Sequence, residues 1–229
     1  MAAPAHTLAF EAPLTHGGDH LGPPPLVVKI GGGLLRDEGL DGLRRACTEV
    51  NEIATRRPVL VVPGGGPFAE AVRAVDAQVG LAADVAHRLA LQAMDQFGAV
   101  LSPMLSSAQS LTDLVAPDSL GMLAVASAFA GRPGVPESWT VTSDSLAVLA
   151  AGAIGAEEAV LLKPVAGVVA RWPSDDPPLE RLTANELQAL QAAGGARVVD
   201  PYLADAVRRT RVAVVVRAPD GVGTRITAD

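Results

Sequence analysis

The sequence predicts an α/β protein whose mostly parallel sheet is covered by helices on both sides. Two observations carry this. Its strand-like segments, such as Val59-Leu60-Val61-Val62, Ala159-Val160-Leu161-Leu162 and Val212 to Val216, are apolar without alternation, as strands buried on both faces must be. Segments of helical periodicity separate them, which is the pattern of crossover connections.

In order along the chain, residues 1–25 are rich in Pro, Gly, Ala and His and read as a flexible tail ending at Pro23-Pro24-Pro25. Leu26 opens the first strand of a domain spanning residues 26–229. Leu40, Leu43, Cys47, Val50 and Ile53 recur at helical spacing, giving a helix over 39–55. After the strand at 59–62, Phe68, Val72, Val75 and Val79 mark a second helix. Ala86, Leu89, Ala90, Met94 and Phe97 mark a third. Residues 102–140 carry the weakest pattern. A helix over 144–154 precedes the strand at 159–162, and Thr183 to Glu186 has capping-box spacing for a helix to about Ala193. Asp200-Pro201 reads as an N-cap with proline at the first helical position, opening a helix to Arg209.

The totals exclude several functions. Hydrophobic residues make up 49% and aromatics 3%, so alanine, valine and leucine must fill the core. A net charge of −7 argues against a nucleic-acid or anionic-membrane surface. The single Cys47 excludes an internal disulfide and fits a reducing compartment. No apolar run reaches membrane-spanning length and no cleavable signal pattern is evident, so a cytoplasmic protein is expected.

Ligands in such sheets gather at the carboxyl ends of strands. Gly31-Gly32-Gly33 and Gly64-Gly65-Gly66 follow two successive strands and lead towards helices. Glycines let backbone N–H groups approach an anion, and helix N-termini favour negative charge. Lys29 stands in the first of these strands, where an ammonium is costly to desolvate without an anion. Thr142-Ser143-Asp144 opens a later helix, where Asp144 either complements the helix dipole or orients Lys29 and nearby donors. Asp95, beside the core-facing Met94, offers a carboxylate for an ammonium-bearing ligand. His87 is the only histidine beyond the tail. His6, His16 and His20 have spacings that suit no preformed metal site.

Strand-Lys-x-Gly-Gly, strand-Pro-Gly-Gly-Gly, Thr-Ser-Asp-x-x-Ala and the closing Gly223-Thr224-Arg225-Ile226 together resemble the amino acid kinase superfamily, in order over residues 26–229. The stretch from Gly64 to Gly98, with Val141 to Ala147 and Val198 to Leu203, is most similar to the branch acting on aminomethyl-furanmethyl phosphate in methanofuran or methylofuran synthesis. The resemblance implies a three-layer αβα sandwich, with residues 26–140 as the acceptor lobe and 141–229 as the nucleotide lobe. It implies an ATP- and Mg²⁺-dependent kinase acting on a phosphate monoester, with Mg²⁺ carried by the ATP phosphates, and a homo-oligomer. UMP and isopentenyl phosphate are its other acceptors. By the same resemblance Lys29 contacts the transferring phosphoryl and Asp144 organises the site. Gly31, Gly32, Gly33, Ser143, Lys163 and Gly167 serve phosphate or nucleotide, and Gly64, Gly65 and Gly66 serve the acceptor. Asp200 matches an aspartate of uridylate kinases.

One segment departs from the family pattern. "LLKPVAGVV" (161–169) has Pro164 and Ala166 where relatives carry two acids, and this favours a nucleotide- or phosphate-binding subunit without turnover. The chain also lacks the Gly-Gly-Met-x-x-Lys segment that supplies a second phosphate-directed lysine. Arg197, Arg208 and Arg209 are the candidate replacements.

Overall fold

A computed structural model describes residues 22–229; residues 1–21 of the expected tail, with His6, His16 and His20, lie outside it. What the structure describes of the tail's end is tied down, for Arg57 donates to the Pro24 carbonyl at 2.9 Å and 2.6 Å.

The elements run β1 (Leu26–Ile30), α1 (Gly33–Ala54), β2 (Val59–Pro63), α2 (Gly66–Val79) and α3 (Ala83–Leu101). After a 3₁₀ turn (Ser102–Met104) come β3 (Gln109–Leu111), β4 (Leu120–Leu123), α4 (Val125–Phe129) and α5 (Ser143–Ala153). β5 (Glu158–Leu162), β6 (Arg181–Thr183), α6 (Ala184–Ala192), α7 (Leu203–Thr210), β7 (Ala213–Arg217) and β8 (Thr224–Thr227) complete the chain. The strands form one sheet in the order β3-β4-β2-β1-β5-β7-β8-β6, parallel except for β7 against β8. The expected α/β sandwich with a mostly parallel sheet is what forms.

The apolar side chains divide by strand parity. Val28 and Ile30 of β1, with Val160 and Leu162 of β5, pack under α1 and the C-terminal end of α3. Val27, Ala159 and Leu161 pack on the other face with α5, α6 and α7. Lys29 shares the parity of Val27 and therefore points to the face that α5 covers. Lys163, two residues past Leu161, has the same parity.

Three boundaries differ from expectation. The first helix begins at Gly33, not at residue 39, with Leu34 already in the core; Gly39 (φ 65°) kinks it, so the periodicity restarts there. The helix expected from Asp200 begins at Leu203, with no side-chain cap. Within 102–140 the structure places two short strands and α4, each too brief to show a period. The capping box at Thr183 is present, with Thr183 N–H donating to Glu186 Oε2 at 2.7 Å.

Candidate active site

β1 is the strand at which the connection order reverses, with β2 and β4 added to one side and β5 and β7 to the other. Such a switch point opens a crevice beyond the strand ends. Both glycine loops meet there. A Cβ on Gly32 would collide with the Gly66 backbone, and one on Gly64 would lie 2.9 Å from Gly32 N. Gly66 itself holds φ 51°, with the Phe97 ring where a side chain would go. The close approach of the loops therefore requires glycine on both sides.

A buried ionic cluster lies behind the loops. Lys29 Nζ is 2.9 Å from Asp144 Oδ1, and Lys163 Nζ is 2.7 Å from Asp144 Oδ2. Lys29 and Asp144 are almost wholly buried. Burial pushes the Lys29 ammonium down to about 8, against the pull of Asp144. Burial also acts to raise the Asp144 carboxyl, but Lys163 and Lys29 outweigh it and hold it at about 2. Two cations thus share one carboxylate beside the glycines. A Cβ on Gly31 would come within 3.0 Å of Lys29 Nζ. This arrangement suits a polyphosphate, because ammonium groups and open backbone converge on one place.

Asp200 holds the cluster from the far side. Its Oδ2 accepts from Thr142 N at 2.9 Å, Thr142 Oγ1 at 2.9 Å and Ser145 N at 3.0 Å, and its Oδ1 accepts from Ser145 Oγ. The expected local N-cap is thus corrected, since the carboxylate caps α5, 55 residues away, and not the helix that follows it. The Asp200 N–H donates to Asp144 Oδ2 at 3.3 Å. Burial and the Asp144 charge push the Asp200 carboxyl up to about 6, against the donors of Ser145 and Thr142.

In front of the loops lies a cavity of 270 Å³. The first residues of three helices line it: Gly33 of α1, Gly66 of α2 and Ser143 of α5. Three N-terminal dipole ends on one cavity favour an anion. Arg36, Arg73 and Trp139 add to its wall, and His87 and Met94 reach it from α3. The Arg73 guanidinium sits 4.1 Å from the centre of the Trp139 ring, whose Nε1 donates to Asp76 Oδ2 at 2.7 Å.

The structure brings together Lys29, Gly31, Gly32, Gly33, Gly64, Gly65, Gly66, Ser143, Asp144 and Lys163, with His87 on the cavity and Asp200 behind. Two candidates have other employment. Asp95 Oδ1 accepts from Val125 N at 2.5 Å and its Oδ2 from Ala126 N at 3.2 Å, so it caps α4, and it does not line the cavity. Gly167 is explained by packing, because a Cβ there would lie 2.6 Å from Thr224 Oγ1. The second lysine that the structure brings to the cluster beside the glycine loops is Lys163. Arg197 and Arg208 are occupied by Gly194 O and Asp205, and Arg209 by Gly134 O and Tyr202. Sequence reasoning missed Arg36, Arg73 and Trp139; the sole signal was the rarity of tryptophan, two in the chain.

Known proteins share this architecture. The uridylate kinase of Archaeoglobus fulgidus superposes with a TM-score of 0.68 over 88% of this chain and 99% of its own, at 22% identity. The UMP kinase of Ureaplasma parvum gives 0.67 over 90% and 100%, at 16% identity. In sequence, the [5-(aminomethyl)furan-3-yl]methyl phosphate kinase of Methanocaldococcus jannaschii is 27% identical over 72% of this chain and 76% of its own. The Amino acid kinase family model matches residues 24–218, a span holding both glycine loops and the lysine–aspartate cluster, and the chain belongs to that family.

Proposed function

We propose that this chain is an ATP- and Mg²⁺-dependent kinase that phosphorylates a phosphate monoester, releasing ADP and a diphosphate-bearing product. The Lys29–Asp144–Lys163 cluster set against the two glycine loops carries the reading. Phosphoryl transfer needs aligned positive charge around the moving group and little covalent help. Asp144 keeps two ammonium groups fixed, so Lys29 and Lys163 neutralise charge without reorganising. Gly31 and Gly32 expose backbone to the nucleotide phosphates, whose bound Mg²⁺ supplies further neutralisation. Gly65 and Gly66, at the start of α2, hold the acceptor's phosphate, with Arg73 at the cavity wall beside them. An acceptor phosphate oxygen forms the new P–O bond as the bond to the departing ADP oxygen breaks. A phosphomonoester loses its second proton at about pH 6, so that oxygen is already deprotonated at neutral pH and no general base is needed.

Within this reading residues 26–140 form the acceptor side and 141–229 the nucleotide side, and the protein acts as a cytoplasmic homo-oligomer. Aminomethyl-furanmethyl phosphate is the acceptor proposed first, supported by the relative from Methanocaldococcus jannaschii. UMP and isopentenyl phosphate are the alternatives. One feature favours a second reading, a binding subunit without turnover. Pro164, which has no N–H to donate, packs within 3.3 Å of where a Cβ on Gly33 would lie. Calorimetry with ATP–Mg²⁺ separates the two: no binding at millimolar nucleotide ends the kinase reading. Coupled ADP release with the three acceptors then decides the substrate.

A further inference from the structure

The cavity in front of the glycine loops has a neighbour across His87. A second cavity of 330 Å³ lies beyond, lined by Asp84, Arg88, Ala130, Gly131 and Glu137, and His87 is the residue that lines both. Spacing on α3 explains the placement, because Asp84, His87 and Arg88 stand at i, i+3 and i+4 and share a face. Their neighbours at the mouth are exposed, whereas His87 is 4% exposed within the apolar stripe of Ala86, Ala90 and Leu91.

The imidazole is not fully satisfied. Its Nε2 is buried with no hydrogen-bond partner among the described residues. Burial lowers the histidine pKa, against Glu137 and Ser138, and so favours the neutral ring. A neutral imidazole carries a proton on one nitrogen and a lone pair on the other, so an unpartnered Nε2 can accept a hydrogen bond. A buried acceptor of this kind asks for a donor. The outer cavity says which sort: Asp84 and Glu137 outnumber Arg88, leaving one net negative charge there.

We propose that His87 is the acceptor-specificity residue: its Nε2 receives a hydrogen bond from a donor, best an ammonium, at the end of the phosphate monoester remote from its phosphate. Glu137 and Asp84 supply the compensating charge. This rests on the acceptor reading above. An acceptor ending in plain hydrocarbon leaves Nε2 unpaired, and sites built for a hydrogen bond reject analogues that lack the donor.

The test uses the full chain and two probes that differ in the donor alone, 4-(aminomethyl)benzyl phosphate and 4-methylbenzyl phosphate, by isothermal titration. The expected result is roughly tenfold or more tighter binding of the amine. In His87→Phe the ratio of the two affinities should fall towards one, with folding checked by circular dichroism. In Glu137→Gln, an exposed position that leaves the core intact, the ratio should fall several-fold. A wild-type ratio near one, no binding of either probe, or an unchanged ratio in a folded His87→Phe protein overturns the proposal. If His87→Phe does not fold, an unchanged ratio in Glu137→Gln overturns it. ATP–Mg²⁺ titrated into the same preparation scores the kinase reading separately: lost nucleotide binding with a large probe ratio sinks the kinase and keeps His87.

Discussion

β1 and β5 are parallel neighbours in register, Lys29 opposite Leu161, and each sends a lysine to the same carboxylate. The two lysines are built differently. Lys29 sits inside its strand, locked by ladders to β2 and β5, with its side chain 5% exposed. Lys163 lies just past the end of its strand, its N–H donating to Arg217 O at 2.9 Å, and its side chain is 14% exposed. After Lys29 come Ile30 and three glycines, and after Lys163 come Pro164, Val165 and Ala166. The first strand end therefore positions charge against an open backbone, while the second brings charge alone. Asp144, opening α5, makes the two ends one site.

The largest expected effect comes from removing the shared anion. Asp144→Ala leaves two ammonium groups without their partner and should cost about 3–5 kcal/mol of stability in urea unfolding. Turnover should fall by ~10³ or more. A variant as stable as the parent would show that the cluster does not bind the two strand ends together.

Lys29→Ala leaves Asp144 paired with Lys163, so the protein should fold while ADP release drops by roughly 10². An unchanged rate would end the phosphate-loop argument. Lys163→Ala, at the more exposed end, should cost only about tenfold. Equal losses in the two variants would erase the asymmetry between the strands.

The asymmetry also has a pH signature. With the Lys29 ammonium at about 8, ATP–Mg²⁺ affinity should fall about tenfold between pH 7 and pH 9. The stability term has the opposite sign. The folded pKa lies below the ordinary 10.5, so the unfolded chain binds more protons between those values, and this lysine's contribution to stability rises as pH climbs from about 8 to 10.5. Affinity that stays flat to pH 9 would place the essential charge on Lys163. The smallest effect is expected at Asp95→Asn, which should leave the acceptor KM unchanged and cost ~1 kcal/mol through the α4 cap. A raised KM would return Asp95 to the acceptor site.

How much of this was legible follows from how local each signal is. Lys29 stands out because an ammonium in an apolar strand is costly to desolvate without an anion, and its 5% exposed side chain does not snorkel to solvent. The glycine loops declare themselves as strand-to-helix turns, although their mutual contact is invisible until β1 and β2 pair. Asp200 followed by Pro201 imitates a local cap, and the carboxylate's true partners, Thr142 and Ser145, lie more than fifty residues earlier. Asp95 looked free beside Met94 because α4, whose N–H groups it serves, is too short to carry a period. Trp139 and Arg73 meet only when the loop before α5 folds over α2.

Residue order alone thus specified a mostly parallel sheet covered on both sides, most of its longer strands and helices, and the two loops, because hydrophobic period and glycine content act over a few neighbouring residues. Packing decided the rest. Strand parity turned Lys29 and Lys163 to one face, α5 set Asp144 between them, and α3 carried His87 to the wall between two cavities. Those choices depend on which distant surfaces exclude water together, and that free energy belongs to contacts and not to segments.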